Sequence, residues 1–206
     1  MPLAAKTEAL RRTPSQARSR ERVEKMLAAA RDLIAEKGAD ALRMGEVAER
    51  AQVSIGSLYQ FFPDKAAVIR TLAERYNAQG RACIADGLAG ITDIAGLRTA
   101  FAALIDSYYG IFLSEPVMRD IWSGVQADPA LRDLDREDSR INGAVLAGVM
   151  ARLRPAADRA ALEASAFLVM QLGEATMRLA VSVGPEEGRR LVEIYKRMAL
   201  AEIAGP

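Results

Sequence analysis

Four polar side chains within a short stretch of the chain can hydrogen-bond to double-stranded DNA. Ser57 and Gln60 lie three positions apart, Tyr59 lies between them, and Lys65 follows. Glutamine can pair with N6 and N7 of adenine through two hydrogen bonds, and serine can donate to several bases. Tyrosine and lysine bind phosphate oxygens, and the free N–H groups at the start of a helix also favour an anion. Ser57 and Gln60 are therefore candidates for base contacts, and Tyr59 and Lys65 for phosphate contacts.

The residue types that most enzymes need are missing or scarce. None of the 206 residues is histidine, which excludes imidazole bases, histidine-dependent nucleophile triads and metal sites that need imidazole. Cys83 is the only cysteine, which excludes an internal disulfide and a thiolate metal cluster. An enzyme would have to use Asp106, Glu174 or Cys83, and no spacing between a nucleophile and a base supports one. We expect no catalytic site, no bound metal and no cofactor.

The composition favours a soluble, helical, cytoplasmic protein. Half of the residues are apolar and 27% are charged, whereas aromatic residues make up only 5%. No apolar stretch follows the basic residues near the N-terminus, so no signal peptide is expected. The most apolar region, Ala160 to Val183, is interrupted by Glu163, Gln171, Glu174 and Arg178 and is not expected to span a membrane. A single cysteine fits a reducing compartment.

Positive charge is concentrated near the N-terminus. Residues 1–80 carry 14 basic and 10 acidic side chains, and residues 81–206 carry 14 and 17. The first 22 residues hold six basic and two acidic side chains, which accounts for the whole excess. Residues 1–17 show no sustained periodicity, which predicts a flexible basic arm. This N-terminal segment is either solvated, or it contacts phosphates through Arg18, Arg20 and Arg22.

Apolar periodicity and capping residues predict nine helices and no strand, which is an all-α fold. Helix one is predicted to begin near Arg18 and to end before Gly38, and a long fourth helix follows Asp64. The helices after it are predicted to begin, in order, near Leu97, Pro116, Asp128, Asp158 and Pro185. Residues 18–65 are predicted to form one domain, and residues 66–206 a second, larger helical domain.

Two short helices, predicted over residues 44–51 and 55–62, are joined by three residues and follow a longer helix. This is the helix-turn-helix arrangement, whose second helix enters the major groove. At about 100° per residue, Ile55, Leu58 and Phe62 fall on one side of the second helix and are predicted to face the core. The opposite side carries small and polar residues that let DNA approach closely: Gly56, Ser57 and Gln60, flanked by Tyr59 and Phe61.

The run from Val47 to Lys65 resembles the DNA-binding signature of the TetR (tetracycline-repressor-like) regulators. The residues that match the signature are Ala48, Val53, Ser54, Gly56, Leu58, Tyr59, Phe62 and Lys65. The resemblance implies an all-helical repressor that binds a pseudo-palindromic operator as a dimer and releases it when a small molecule binds. Together with the chemistry above, the predicted DNA-contacting residues are Ile55, Gly56, Ser57, Tyr59, Gln60, Phe61, Lys65, Arg18 and Arg20.

Three residues depart from that signature. Gln52 stands at a turn position that usually holds glycine. If the turn keeps that geometry, Gln52 needs a positive φ at a cost of about 1 kcal/mol; the alternative is a slightly different turn. Gly45 replaces a residue that often contacts phosphate, and the second helix is predicted to have a weak N-terminal cap. Phe61 replaces a histidine or tyrosine and cannot hydrogen-bond to a phosphate.

A dimer is expected, because one helix-turn-helix buries too little surface for strong binding. Two-fold symmetry would place the recognition helices about 34 to 36 Å apart. The resemblance implies that helices eight and nine form the interface. The residues that would permit close approach are Ala164, Ala166, Gly173, Ala175, Leu179 and Val183, with Arg189 and Arg190 at the rim. Alternatively, this apolar surface is the core of a single chain.

The resemblance also implies a cavity for a small-molecule effector in the second domain, and an apolar or aromatic effector is expected. The candidate lining residues are Phe101, Asp106, Tyr108, Met118, Trp122, Met150, Phe167, Met170, Glu174 and Met177. Ordinary core packing is the alternative for each of them. Asp106, Glu174 and Arg178 lie on otherwise apolar helices, where an ionisable group either pairs internally or meets a ligand.

Two other functions stay open. One is a dimeric helical module that binds a ligand or a partner but no specific DNA. The weak N-terminal cap predicted for the second helix and the small excess of basic residues would fit this alternative. The other is an enzyme that uses carboxylates on an all-helical scaffold.

Overall fold

The computed structural model describes residues 9–123 and 128–205, and every regular element in these ranges is an α-helix. The helices are α1 Ala9–Lys37, α2 Met44–Arg50, α3 Ile55–Phe61, α4 Lys65–Gly87, α5 Ile94–Ser114, α6 Pro116–Ser123, α7 Pro129–Leu153, α8 Arg159–Ser182 and α9 Pro185–Ala204. The predicted all-α fold is confirmed.

Helix α1 begins earlier than the sequence pattern predicts. The predicted flexible arm extends to residue 17, whereas α1 begins at Ala9. The prediction is wrong for residues 9–17, because alanine, leucine, arginine and glutamine, which are strong helix formers, make up most of this segment. Residues 1–8 of the predicted arm lie outside the described ranges.

Aspartate caps set the starts of four later helices. Oδ1 atoms of Asp64, Asp128 and Asp158 accept hydrogen bonds from first-turn backbone N–H groups of α4, α7 and α8, at 2.7 to 3.1 Å. These three starts agree with the sequence prediction. Helix α5 begins before the predicted Leu97, because Asp93 caps it in the same way.

The chain divides into two compact units, the first ending at Leu72 and the second beginning at Ala73. The predicted boundary at Lys65 lies in the same helix, α4. In the first unit α2 packs on α1, and α3 packs on α2. The core of this unit includes Met26, Leu27, Ala30, Val47 and Leu58. Two ion pairs, Lys37 with Glu46 and Glu36 with Arg50, also join α1 to α2.

In the second unit α8 packs closely against both α7 and α9. Gly143 on α7 permits this approach, because a Cβ atom there would lie 3.0 Å from backbone atoms of Phe167 on α8. The largest buried side chains of the unit include Phe112, Trp122, Leu146 and Met177. Among the described residues, no helix is long and apolar enough to cross a bilayer.

Candidate DNA-contacting helix and polar cavity

Helix α3 is anchored on one side and open on the other. Ser54 caps it, with Oγ accepting a hydrogen bond from the backbone N–H of Ser57 at 3.2 Å. Leu58 is fully buried, and Phe62, directly after the helix, is nearly so. Tyr59 is 50% exposed, and Gln60 is also exposed. The structure therefore presents Tyr59 and Gln60 to solvent from a helix that the core holds in place.

Two residues of α3 lie differently from the helical-wheel prediction. Ile55, predicted to face the core, is 45% exposed, because it is the first residue of a seven-residue helix and lies at its open N-terminal end. Ser57, predicted to lie open, is half-buried, and its hydroxyl oxygen is covered without a hydrogen-bond partner among the described residues. Gly56 is exposed, and Phe61 is half-buried.

The basic candidates differ in how firmly they are held. Nζ of Lys65 donates a hydrogen bond to the backbone oxygen of Asp40 at 2.9 Å, which fixes the ammonium group beside the first turn of α4. Lysine has three N–H donors, so two remain for a phosphate. Arg18 and Arg20 are exposed on α1.

The two predicted weaknesses of the helix-turn-helix are confirmed. Gln52 has a φ of 56°, a left-handed conformation that glycine adopts more easily. Arg43 precedes α2, and its side chain makes no capping hydrogen bond. Gly45 in the first turn of α2 is exposed, with no other atom within 4 Å of the position a Cβ would take.

The second unit contains a cavity of about 160 Å³ between α4, α5, α6, α7, α8 and α9. A cavity of about 150 Å³ in another protein holds a benzene molecule, so this one has room for a single ring. Six of the predicted residues line it: Phe101, Tyr108, Met118, Met170, Glu174 and Met177. Exposed residues in the lining, Gln79, Cys83 and Ile111, mark where the cavity meets solvent.

Four predicted residues do not line the cavity. Asp106 is directed to solvent, where it pairs with Lys196 on α9. Trp122 and Met150 are buried in the core of the second unit. The ring of Phe167 lies under the guanidinium group of Arg140, with 4.4 Å from Cζ to the ring centre.

Sequence reasoning missed the polar side of α7. Asp138, Ser139 and Asn142 line the cavity, together with Asn77 of α4 and Tyr195 of α9. On α7 the buried residues Asp135, Asp138, Ser139 and Asn142 recur at three- and four-residue spacing. Polar residues at the spacing of a buried stripe were the signal that could have found this side of the cavity.

Glu174 and Arg178 belong to one buried polar cluster. The hydroxyl of Tyr108 donates a hydrogen bond to Oε1 of Glu174. Nη1 of Arg178 lies 3.9 Å from Oε2 of Glu174 and 3.8 Å from Oδ1 of Asp135. The side-chain amide of Gln171 donates to the other oxygen of Asp135 at 3.0 Å. Arg178 is therefore held by two ion pairs that are longer than hydrogen bonds, and only one oxygen of Glu174 has a hydrogen-bond partner.

Burial alters the acidity of the carboxyl groups. Desolvation raises the pKa of Glu174 from its ordinary 4.5 to about 7. The nearby Asp135 carboxylate adds to this rise, whereas the Tyr108 hydrogen bond and the Arg178 charge oppose it. Desolvation also raises the pKa of Asp138, although that carboxylate pairs with Arg81 and accepts a hydrogen bond from Asn142 at 2.9 Å.

Helices α8 and α9 expose apolar side chains. Leu168, Leu172 and Leu179 on α8 are between 42% and 56% exposed, and they lie four and seven positions apart. On α9, Ile194 and Met198 are 45% and 60% exposed and lie four positions apart. Each helix therefore carries an apolar stripe that faces solvent in the single chain.

Two of the small residues predicted for a dimer interface lie inside the single chain. Ala166 is fully buried. A Cβ at Gly173 would lie 2.9 Å from the hydroxyl oxygen of Tyr195, so Gly173 makes room for an α9 side chain of the same chain. For these two positions the prediction of an intermolecular contact is wrong. Ala164, Ala175 and Leu179 are exposed, and Val183 is half-buried.

Both units match known protein families. Residues 26–72 match the family described as bacterial regulatory proteins, tetR family. Residues 95–204, which are more than half of the chain, match the tetracyclin repressor-like C-terminal domain. The chain belongs to the TetR family. This confirms the prediction, made from the run Val47 to Lys65, that the chain is a TetR-family transcriptional regulator.

Individual relatives agree with TetR-family membership. The chain is 36% identical over 90 residues to YdeS of Bacillus subtilis, an uncharacterized helix-turn-helix-type transcriptional regulator, and spans 45% of that protein's length and 44% of its own. A TetR-family regulator from Streptomyces coelicolor is 27% identical, with a TM-score of 0.67 over 89% of this chain and 96% of that one. FadR from Bacillus subtilis, solved with stearoyl-CoA, is 16% identical and shares the fold, with a TM-score of 0.60 over 88% and 97%.

Proposed function

We propose that this TetR-family protein is a repressor that binds a pseudo-palindromic operator as a dimer and releases it when a small molecule enters the cavity. The observation that carries the proposal is the open side of α3, where Tyr59 and Gln60 are exposed while Leu58 anchors the helix. Such a regulator acts on DNA in the cytoplasm and needs no catalytic step.

The DNA contacts divide by chemistry. Gln60 pairs with an adenine in the major groove, and Ile55 supplies an exposed apolar group for a thymine methyl. Tyr59 and Lys65 bind phosphates and set the register of α3. The hydroxyl of Ser57 has no partner among the described residues, and rotation of this side chain would offer it to DNA.

The remaining members of the proposed DNA surface act through shape and charge. Gly56 leaves room for close approach of the duplex, and Phe61 packs at the edge of α3. Arg18 and Arg20, exposed on α1, add electrostatic attraction to the backbone.

The proposed dimer buries the apolar stripes of α8 and α9 against the same stripes of a second copy. A two-fold interface uses the same surface on both copies, so each of the five exposed side chains would be buried in both of them. Because these side chains are already about half buried, each contributes about 0.7 to 1.5 kcal/mol when it leaves water, before the cost of association. Arg189 and Arg190 are exposed near the start of α9 and suit a polar rim.

Release of DNA requires that the ligand bind the non-DNA conformation more tightly. A preference of about 100-fold corresponds to about 2.7 kcal/mol. Helix α4 carries Lys65 in its first turn and Asn77 in the cavity lining. A shift of α4 on ligand binding would therefore displace a phosphate contact.

Selection of operators from random double-stranded DNA tests this function. Purified full-length protein is expected to enrich a pseudo-palindromic sequence, and the enriched DNA is expected to bind one dimer. Gln60→Ala should change the preferred base at one position of each half-site, whereas the matched variant Gln79→Ala should enrich the wild-type sequence. Normal dimerisation without any enriched sequence would instead support the helical module that lacks specific DNA binding.

A further inference from the structure

The cavity of the second unit is acidic. Among the described residues that line it, the charged ones are Asp138 and Glu174, both carboxylates. Three buried carboxyl groups, of Asp135, Asp138 and Glu174, lie in this region with the guanidinium groups of Arg81 and Arg178. With all five groups ionised, the cluster is one positive charge short of balance. A buried charge without a counter-charge is costly, so the cluster favours either a proton or a cation.

Two polar atoms in the lining have no hydrogen-bond partner in the described part of the chain. Oε2 of Glu174 is buried and makes no hydrogen bond, and Nη1 of Arg178, which also makes none, lies 3.9 Å away in a loose ion pair. Nδ2 of Asn77 is also buried and unpartnered, on a side chain that is 8% exposed. Buried polar groups are nearly always paired, so the acceptor Oε2 indicates a missing donor, whereas the donor Nδ2 of Asn77 needs an acceptor, which an ammonium group does not supply.

Another part of the cavity wall is apolar. Phe101, Ile105, Met118 and Met177 are buried side chains of the lining, and they offer dispersion contacts but no hydrogen bonds. A volume of about 160 Å³ holds one six-membered ring and a short substituent. The occupant must therefore combine a compact apolar body with one polar end.

We propose that the cavity binds a single-ring amine, whose protonated amino group pairs with Oε2 of Glu174 and whose ring lies against the apolar wall. The proposal rests on the proposed function, in which this cavity is the effector site, and it defines the class of effector. An ammonium group supplies both the missing positive charge and a hydrogen-bond donor for Glu174. A carboxylate of the same size would meet Asp138 and Glu174 and be repelled.

The charged and titratable groups near Glu174 come from five of the six helices around the cavity. They are Arg81 on α4, Tyr108 on α5, Asp135 and Asp138 on α7, Arg178 on α8 and Tyr195 on α9. Because the raised pKa of Glu174 is about 7, a proton competes with the amine for this carboxylate near neutral pH. An amine that stays protonated should bind about tenfold more tightly at pH 8 than at pH 6.

Calorimetry with three probes of matched size tests the proposal on the full chain without DNA. The probes are benzylamine, benzyl alcohol and benzoate. Benzylamine is expected to bind at least about tenfold more tightly than benzyl alcohol at pH 8, and benzoate is expected to bind least. Equal or tighter binding of benzoate, or no binding of benzylamine, would overturn the proposal.

Replacing Glu174 by glutamine distinguishes binding through the ion pair from binding through the shape of the cavity. Glu174→Gln keeps an oxygen for the Tyr108 hydroxyl but removes the charge, and it should abolish both the preference for benzylamine and its pH dependence. Glu163→Gln, at an exposed position of the same helix, should leave both unchanged. If Glu174→Gln protein, folded by circular dichroism, still prefers benzylamine tenfold, the ammonium does not pair with Glu174.

The experiments test the amine proposal and the DNA-binding function separately. A protein that binds an operator but rejects benzylamine would refute the amine proposal alone. A protein that binds benzylamine through Glu174 but never releases DNA would refute ligand-controlled repression alone.

Discussion

The hydroxyl of Tyr108 on α5 donates a hydrogen bond to Oε1 of Glu174 on α8, with 2.5 Å between the two oxygens. The bond joins two helices at the cavity wall. The second oxygen of the same carboxyl group is buried without a hydrogen-bond partner in the described ranges. One oxygen of Glu174 therefore links α5 to α8, and the other oxygen is available to a ligand.

Glu174→Gln should make the protein more stable than the wild type at high pH. The folded state holds the Glu174 proton up to about pH 7, whereas the unfolded state releases it near 4.5, so wild-type stability falls as pH rises between these values. Glutamine does not titrate, so the stability of the variant does not fall in this way as pH rises. Urea unfolding should show a gain of about 1 to 3 kcal/mol at pH 8 that vanishes near pH 4.5. A gain that is independent of pH would contradict the raised pKa.

Tyr108→Phe should destabilise the protein, most strongly above pH 7. It removes the hydrogen bond that favours the ionised form of Glu174, so the pKa of Glu174 rises further. Loss of a partner from a buried carboxylate costs about 1 to 3 kcal/mol. Urea unfolding measures the loss, and Tyr59→Phe, at an exposed position, serves as the control with no expected change. Equal stability of Tyr108→Phe and wild type at pH 8 would exclude a structural role for this bond.

Lys65→Ala should weaken DNA binding at all sequences and reduce its dependence on salt. Each lost contact between a cation and a phosphate lowers the slope of log affinity against log salt by about 0.9. Tyr59→Phe removes a neutral donor and should weaken binding without changing this slope. Lys25→Ala, at an exposed ion pair on α1, is the matched control for a lost positive charge. Fluorescence anisotropy across a salt series distinguishes the three, and an unchanged slope for Lys65→Ala would remove Lys65 from the interface.

Leu172→Lys should convert the dimer to a monomer. The substitution places a charge in the middle of the exposed apolar stripe of α8, where an interface would bury it. Leu113→Lys alters a similarly exposed leucine on α5 and should leave the dimer intact. Sedimentation velocity gives the mass of each variant. A Leu172→Lys dimer as tight as the wild type would place the interface elsewhere.

Gln52→Gly should stabilise the first unit by about 0.5 to 1 kcal/mol. The backbone at Gln52 has a φ of 56°, which costs a side-chain-bearing residue more than glycine. Ala82→Gly, at an exposed position inside α4, should have the opposite effect, because glycine weakens a helix interior by about 1 kcal/mol. Thermal unfolding reports both signs, and destabilisation by Gln52→Gly would show that this conformation carries no strain.

Local chemistry predicted the helices, whereas the cavity depended on packing between helices. Asp128 followed by Pro129 predicts the start of α7, because the cap and the first-turn proline act within four residues. No local pattern brings Asn77 of α4 beside the polar stripe of α7. The orientation of Ser57 was also beyond prediction, since in a seven-residue helix a small rotation decides whether a hydroxyl is covered.

Cys83 lies in the cavity lining, is exposed, and is the single thiol of the sequence. A maleimide dye would therefore attach at one position, beside the mouth of the cavity, without prior removal of other cysteines. The emission of such a conjugate would report the arrival of a small molecule in real time, and a bulky dye would itself obstruct entry.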